Sequence, residues 1–291
     1  MSSVVSCYLM GGLGNQLFQI FSTMSYGFDH THCIVFPFTK SLTTGTVRPT
    51  YWDSFLQNIH CFTTNSTKNI YDNSMIHKFP VYKEPGFSHS PIPQFDNHPE
   101  ILLYGYFQSY KYFIHNNKTL FSLIKLNSQQ DAIKHAYSTL FDTQNTCVSM
   151  HFRIGDYQKI QHMHPILPYE YYENSIQYLL NNHPDNLRIL YFCQDSDNHI
   201  VEPIIKRIKT KFTSIEFIKV DDSIVDWKQL LLMSCCKYNI IANSTFSWWG
   251  AYFNQNTDKH VLYPYKWFGS ALKHNITDLF PTDWSEIMYD I

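Results

Sequence analysis

The sequence predicts an α/β protein of two Rossmann-type domains facing a cleft, each built on a parallel sheet. Three observations predict it. The chain opens with an apolar stretch, a glycine turn and a helical pattern. From residue 146 onward strand and helix patterns alternate cleanly, which calls for a sheet covered on both faces. Hydrophobic residues make up 44% and charged residues 16% of 291, enough for packed cores and contrary to disorder.

Taken in order, Val4–Met10 reads as a buried strand. The turn Gly11-Gly12-Leu13-Gly14 follows, then a helix on which Leu17, Ile20, Phe21, Met24 and Phe28 share one face. Cys33–Phe36 and Ile101–Phe107 read as strands, with an irregular stretch from Thr39 to Pro99 between them. Helical patterns lie near Tyr110–Ile124 and Gln129–Phe141. Cys147–Phe152 is a strand, Tyr169–Asn181 a helix and Arg188–Cys193 a strand. Pro203 suits the first position of a helix ending near Lys211. Ile215–Val220 is a strand, and Asp226 is placed to cap a helix that runs to Lys237. Tyr238–Ala242 is a strand, Thr245–Phe253 a helix and Val261–Tyr263 the last strand. The domain boundary is expected near Asn145, giving residues 1–145 and 146–291.

The formal net charge is -2 and no strongly basic stretch occurs, so nucleic-acid binding has no electrostatic support. Any bound phosphate must be met by a few placed groups. No apolar run reaches the roughly 18 residues of a spanning helix. The start of the chain lacks the basic segment of a signal peptide, and its first strand follows almost at once, so no leader or stalk is expected. Seven cysteines without a C-x-x-C pair point to neither a disulfide framework nor a zinc site. A cytoplasmic protein, soluble or peripheral to a membrane, is the expectation. Aromatic residues, at 17%, suit stacking on sugar faces and equally suit a Tyr-rich core.

Three segments carry candidate chemistry. In Gly11–Gln19 the glycines let backbone approach a ligand, and the free amides of a helix start favour an anion. Gly12 and Gly14 lack the third glycine of a dinucleotide fingerprint, because Leu17 stands there. Asn15 and Gln16 can donate and accept toward sugar hydroxyls; a plain tight turn is the alternative. In His151-Phe152-Arg153-Ile154-Gly155-Asp156-Tyr157, alternation puts His151 and Arg153 on one side of a strand end. Arg153 can fork onto a pyrophosphate or pair with Asp156 as structural glue. In Asn243-Ser244-Thr245-Phe246-Ser247-Trp248-Trp249, hydroxyls and amides at a helix start can hold phosphate or merely cap the helix. The Trp pair can pack, serve as a sugar platform, or both.

Together with Gly105-Tyr106-Phe107-Gln108-Ser109-Tyr110, these segments resemble the α-1,2-fucosyltransferase family, in family order, from residue 11 to about residue 268. The resemblance implies a GT-B-like fold and a GDP-β-L-fucose donor. It implies transfer with inversion to the 2-hydroxyl of a galactose-containing glycan, without a metal or other cofactor. It implies donor binding by the second domain through His151, Arg153, Asn243, Ser244, Thr245, Phe246 and Ser247, and an acceptor side on the first. Gly12, Gly14, Asn15, Gln16 and Gln108 are expected to line the donor/acceptor cleft. Many members carry a second Arg where this chain has Ile154, which bears on the strength of donor binding.

Asp156 is the carboxylate nearest the donor motif, a candidate base for the acceptor proton or an orienter of Arg153. Asp226 stands where related sites read guanine with a carboxylate, or caps its helix. Asp195-Ser196-Asp197 mimics a manganese-binding D-x-D, and His162 and His164 lack a third ligand nearby; neither is expected to hold metal. Other readings are a GT-B transferase with another nucleotide sugar, such as GDP-rhamnose, and an inactive carbohydrate-binding protein.

Overall fold

The computed structural model describes residues 3–95, 99–141, 144–183 and 186–290. The chain divides into two compact units. Unit 1 comprises Met1–Asn127 and His274–Pro281, and unit 2 comprises Ser128–Lys273 and Thr282–Ile291.

Unit 1 holds the strands β1 (Val4–Cys7), β2 (Cys33–Ile34), β3 (Ser41–Leu42), β4 (Arg48–Pro49), β5 (Val81–Lys83) and β6 (Glu100–Tyr104). Its main sheet runs β2-β1-β6-β5 with every neighbouring pair parallel, and β3 and β4 form a separate hairpin. The helix α1 (Leu13–Asp29) follows β1. Leu17, Ile20, Phe21 and Met24 are fully buried as its periodicity requires, but burial runs almost all round the helix from Leu13 to Gly27. A helix closed in on all sides leaves the one-face rule behind. The irregular stretch adds the short α2 (Asn73–Ile76), and part of it, residues 96–98, lies outside the described residues. The pattern at Tyr110–Ile124 resolves into two 3-10 turns and α3 (Asn117–Leu123).

Unit 2 begins within α4 (Leu126–Ala136). The division falls earlier than the expected Asn145 because Gln130 is bonded into unit 2. Its Nε2 donates to Ser234 Oγ and to the carbonyl of Phe253, both at 2.9 Å. The strands β7 (Thr146–His151), β8 (Leu187–Phe192), β9 (Glu216–Lys219), β10 (Tyr238–Ile240), β11 (His260–Pro264) and β12 (Ser285–Ile287) form one parallel sheet ordered β12-β11-β10-β7-β8-β9. Between them run α5 (Tyr169–Asn182), α6 (Asn198–Lys211), α7 (Asp226–Cys235) and α8 (Thr245–Tyr252). Val148, Met150, Ile189 and Ile240, all at most 1% exposed, pack with Tyr172, Ile176, Val201 and Ile208 into its core.

Three local expectations are corrected. Pro203 lies inside α6, not at its start: a 3-10 turn at Asp195–Asp197 leads straight into a helix beginning at Asn198. Asp226 is the first residue of α7 rather than its cap, which is Val225; the Asp226 carboxylate accepts the amide of Trp227 at 2.7 Å. Val261–Tyr263 is not the last strand, since β12 pairs beyond it. The Trp pair is decided for packing, because Trp248 and Trp249 are both 0% exposed.

Candidate functional site

In open parallel sheets, ligands collect beyond the carboxyl ends of the strands where the strand order reverses direction. In unit 2 the chain steps from β7 to β8 and β9 on one side, then returns to lay β10, β11 and β12 on the other. The reversal therefore falls between β7 and β10. The segment His151–Tyr157 leaves β7 there and Asn243–Ser247 leaves β10, so residues far apart in sequence meet because the topology brings them together. The rings of His151 and Phe246 have centroids 5.6 Å apart, and the Tyr157 hydroxyl donates to the carbonyl of Asn243 at 3.0 Å.

Arg153 is 26% exposed. Its Nη2 bonds Asp156 Oδ1 at 2.5 Å, and its guanidinium lies 4.9 Å from the centroid of Tyr157. His164 stacks on the other partner, with its ring 4.9 Å from Tyr157 and 22° from parallel. The pairing foreseen as glue is thus present, but Asp156 is 52% exposed, and an ion pair this open to water contributes about 0–1 kcal/mol. Ile154 is 2% exposed in the core, facing away from the group that Arg153 joins.

His151 is buried, and its Nδ1 has no hydrogen-bond partner. Burial, and after it the charge of Arg153, hold its pKa down at about 3, so the ring is neutral. Asn243 is buried as well. Its Nδ2 donates to the carbonyls of Pro165 and Trp267 at 2.9 and 3.2 Å, while its Oδ1 has no partner. Buried polar atoms of a folded chain ordinarily have a partner, and these two stand together at the strand-order reversal, where a ligand or water can complete their bonding. Ser244 caps α8, its Oγ accepting the amide of Phe246 at 3.3 Å. The Ser247 hydroxyl turns back to the carbonyls of Ala242 and Ser244, both at 3.4 Å, and Thr245 begins the helix beside them.

Asp197, which the sequence reading set aside as half of a D-x-D, bears on this site. It is 2% exposed, and its Oδ2 accepts the amide of Gly155 at 3.0 Å. Gly155 has φ +32°, and a Cβ there would sit 2.9 Å from Gln194 Oε1. Asp197 therefore fixes the turn that carries Arg153. Asp195 pairs with Lys219, and no group of three metal-ligating side chains occurs among the described residues. Asp226 starts α7 from the end of β9, two strands from β7. His162 meets its neighbours through backbone, its carbonyl accepting the amide of Ala271 at 2.9 Å.

The motif residues of unit 1 gather at the ends of β1 and β6. Gln108 Nε2 donates to Asn15 Oδ1 at 3.0 Å. Gln16 is held inside, its Nε2 donating to the carbonyls of Gly11 and Pro49 at 3.0 and 2.9 Å, so it braces the turn. Gly12 caps α1 with open space where a Cβ would be, and Gly14 is buried in the first turn. The sequence reading missed Glu84. Its Oε2 accepts the amides of Tyr106 and Phe107 at 2.8 and 2.9 Å, shaping the turn before Gln108, and burial raises its pKa.

Two units, each built on a parallel sheet, define the GT-B-like class of α/β proteins. Within it, the sequence pattern of glycosyl transferase family 11 matches residues 43–288, and the chain belongs to that family. It is 31% identical over 205 residues to the O-antigen biosynthesis glycosyltransferase WbnK of Escherichia coli, covering 62% of this chain and 65% of that one. It is 29% identical over 189 residues to an α-1,2-colitosyltransferase of Escherichia coli, covering 63% and 61%. The chain thus spans less than two thirds of the length of these relatives. The fold is similar to that of POFUT1 in complex with GDP-fucose, with TM-score 0.55 at 12% identity, covering 90% of this chain and 98% of that one. It is also similar to a glycosyl transferase family 9 protein of Veillonella parvula, with TM-score 0.51 at 12% identity, covering 100% and 88%. No helix among the described residues is long and apolar enough to cross a membrane.

Proposed function

We propose that this glycosyltransferase moves L-fucose from GDP-β-L-fucose, with inversion, to the 2-hydroxyl of a galactoside. The observation that carries the reading is the meeting of Arg153, the neutral His151 with its orphaned Nδ1, and the Ser244–Ser247 helix start at the β7/β10 reversal. In sugar transfer the anomeric C–O bond to the β-phosphate breaks through an oxocarbenium-like state, and the electron pair leaves with GDP. In this reading Arg153 and the amides opening α8 meet that growing negative charge. Groups that bind it better in the transition state than in the ground state speed the step. The acceptor oxygen bonds the opposite face of the anomeric carbon, and its proton passes to a base. Asp156, half exposed beside the clamp, orients Arg153 and is the base candidate.

The similarity to an α-1,2-colitosyltransferase favours a second donor, the GDP derivative of colitose, a fucose lacking its 3-hydroxyl. Thermal shift with GDP, UDP and ADP, followed by turnover of both GDP-sugars with and without chelator, tests the reading. GDP is expected to stabilise most, by about 2.7 kcal/mol at 100 times its Kd. Transfer is expected to persist in chelator, since Lys219 and the Gly155 amide already engage Asp195 and Asp197. Equal shifts for all three nucleotides would remove the guanine reading, and faster turnover of the colitosyl donor would replace fucose.

A further inference from the structure

A second reversal of strand order occurs in unit 1, between β1 and β6: the chain leaves β1 for β2 on one side, and β6 lies on the other. The amide of Tyr8 donates to the carbonyl of Leu103 at 2.9 Å, so Tyr8, just past β1, and Tyr104, the last residue of β6, stand side by side. Their ring centroids are 5.6 Å apart, and the ring of His77 lies 6.4 Å from Tyr8. Tyr104 is 38% and the nearby Tyr106 42% exposed, and His77 is exposed too. The Tyr8 hydroxyl bonds Thr44 Oγ1 at 3.0 Å in exposed surroundings. Surface rings scattered singly need no explanation, but rings grouped at a strand-order reversal, with hydroxyls at their edge, are the composition of a binding site.

We propose that Tyr8, Tyr104 and His77 form a stacking subsite for a pyranose ring of the acceptor glycan; this rests on the transferase reading above. The polar atoms of the cluster are hydroxyls and an imidazole, which suit an uncharged sugar. A galactose-type ring presents one face of C–H groups, which packs on an aromatic ring. Its rim of hydroxyls then meets groups such as Tyr8 Oη and Thr44 Oγ1. Asn15 and Gln108, on the segments leaving the same two strands, supply further donors and acceptors.

Saturation-transfer NMR titrations with methyl β-D-galactopyranoside, on the whole chain, test this. Saturation is expected on the ring C–H protons with the wild type and with Tyr104→Phe, which keeps the ring. Tyr104→Ala and Tyr8→Ala are expected to weaken binding about tenfold, a difference of 1.4 kcal/mol. Unchanged galactoside binding by both alanine variants, or none by the wild type, overturns the subsite. GDP-induced thermal shift on the same samples separates the two readings. A GDP shift alongside unaltered galactoside binding overturns only the stacking subsite, and the absence of any GDP shift in the wild type overturns the GDP-sugar reading beneath it.

Discussion

Asp197 reaches from the end of β8 to hold the backbone amide of Gly155, and through it the turn on which Arg153 stands. Asp197→Ala leaves that amide without its acceptor in a buried place. A loss of about 1–3 kcal/mol in unfolding free energy is expected, together with lower turnover per folded molecule. Asp197→Asn keeps an acceptor oxygen and is expected to retain most of both. Denaturant titration and initial rates on one preparation check it; an alanine variant equal to wild type in both would show the bond to be idle.

Arg153→Lys separates clamp from glue. The exposed pair with Asp156 contributes at most about 1 kcal/mol to stability. Loss of a preorganised donor to the leaving phosphate costs roughly 2.7–4 kcal/mol of barrier, on the order of a hundred- to a thousandfold in turnover. The variant is expected to melt within a few degrees of wild type and turn over poorly; normal turnover would remove Arg153 from the chemistry. Ile154→Arg does not repair the family pattern here. It places a charge in the core of unit 2, and loss of folded protein is the expected result.

His151 makes stability depend on acid. Its folded pKa of about 3 lies below the ordinary 6.5, so between these values the unfolded chain binds the extra proton. Its contribution is complete above pH 6.5 and declines as the pH falls toward 3, by up to about 1.36 kcal/mol per pH unit. His151→Phe is expected to flatten the stability–pH curve by about one proton over that window. Unfolding titrations from pH 4 to 8 read this directly, and parallel curves for the two proteins would refute it.

The two glycines opening α1 are expected to differ sharply. Gly11 has φ +75°, and a Cβ there would lie 2.4 Å from Asn15 Nδ2, whereas Gly12 has φ -77° and open space around it. Gly11→Ala is expected to cost about 1–3 kcal/mol and to displace Asn15 from Gln108. Gly12→Ala should leave the melting temperature nearly unchanged, so equal melting temperatures for both variants would contradict the geometry.

Much of this was written in local pattern. β7, β8 and β10 and the helices between them were legible because apolar runs and periodicity are properties of neighbouring residues. The gathering of His151, Arg153 and Ser244 could be anticipated from motifs at strand ends. Strand order is a different kind of information, and the β7/β10 reversal is visible only in the paired sheet. Pro203 was misplaced because a proline tolerated within a helix looks the same in sequence as one that begins it. Glu84 and Asp197 were missed as braces because their partners are backbone amides of residues distant along the chain, which leave no side-chain signature. β12 is three residues long, too short for periodicity to speak.

Asp278 receives the ammonium of Lys111 and the amide of His89, and its carbonyl accepts the hydroxyl of Ser109 at 2.6 Å. All of these lie in unit 1, yet His274–Pro281 is the last stretch of that unit to be made, after nearly all of unit 2. On the ribosome, where domains ordinarily finish in the order they emerge, unit 1 has to wait with an open seat while residues 128–273 of another unit pass through the exit tunnel. The unit whose first strand is made early is completed late, only once the intervening residues 128–273 have been made.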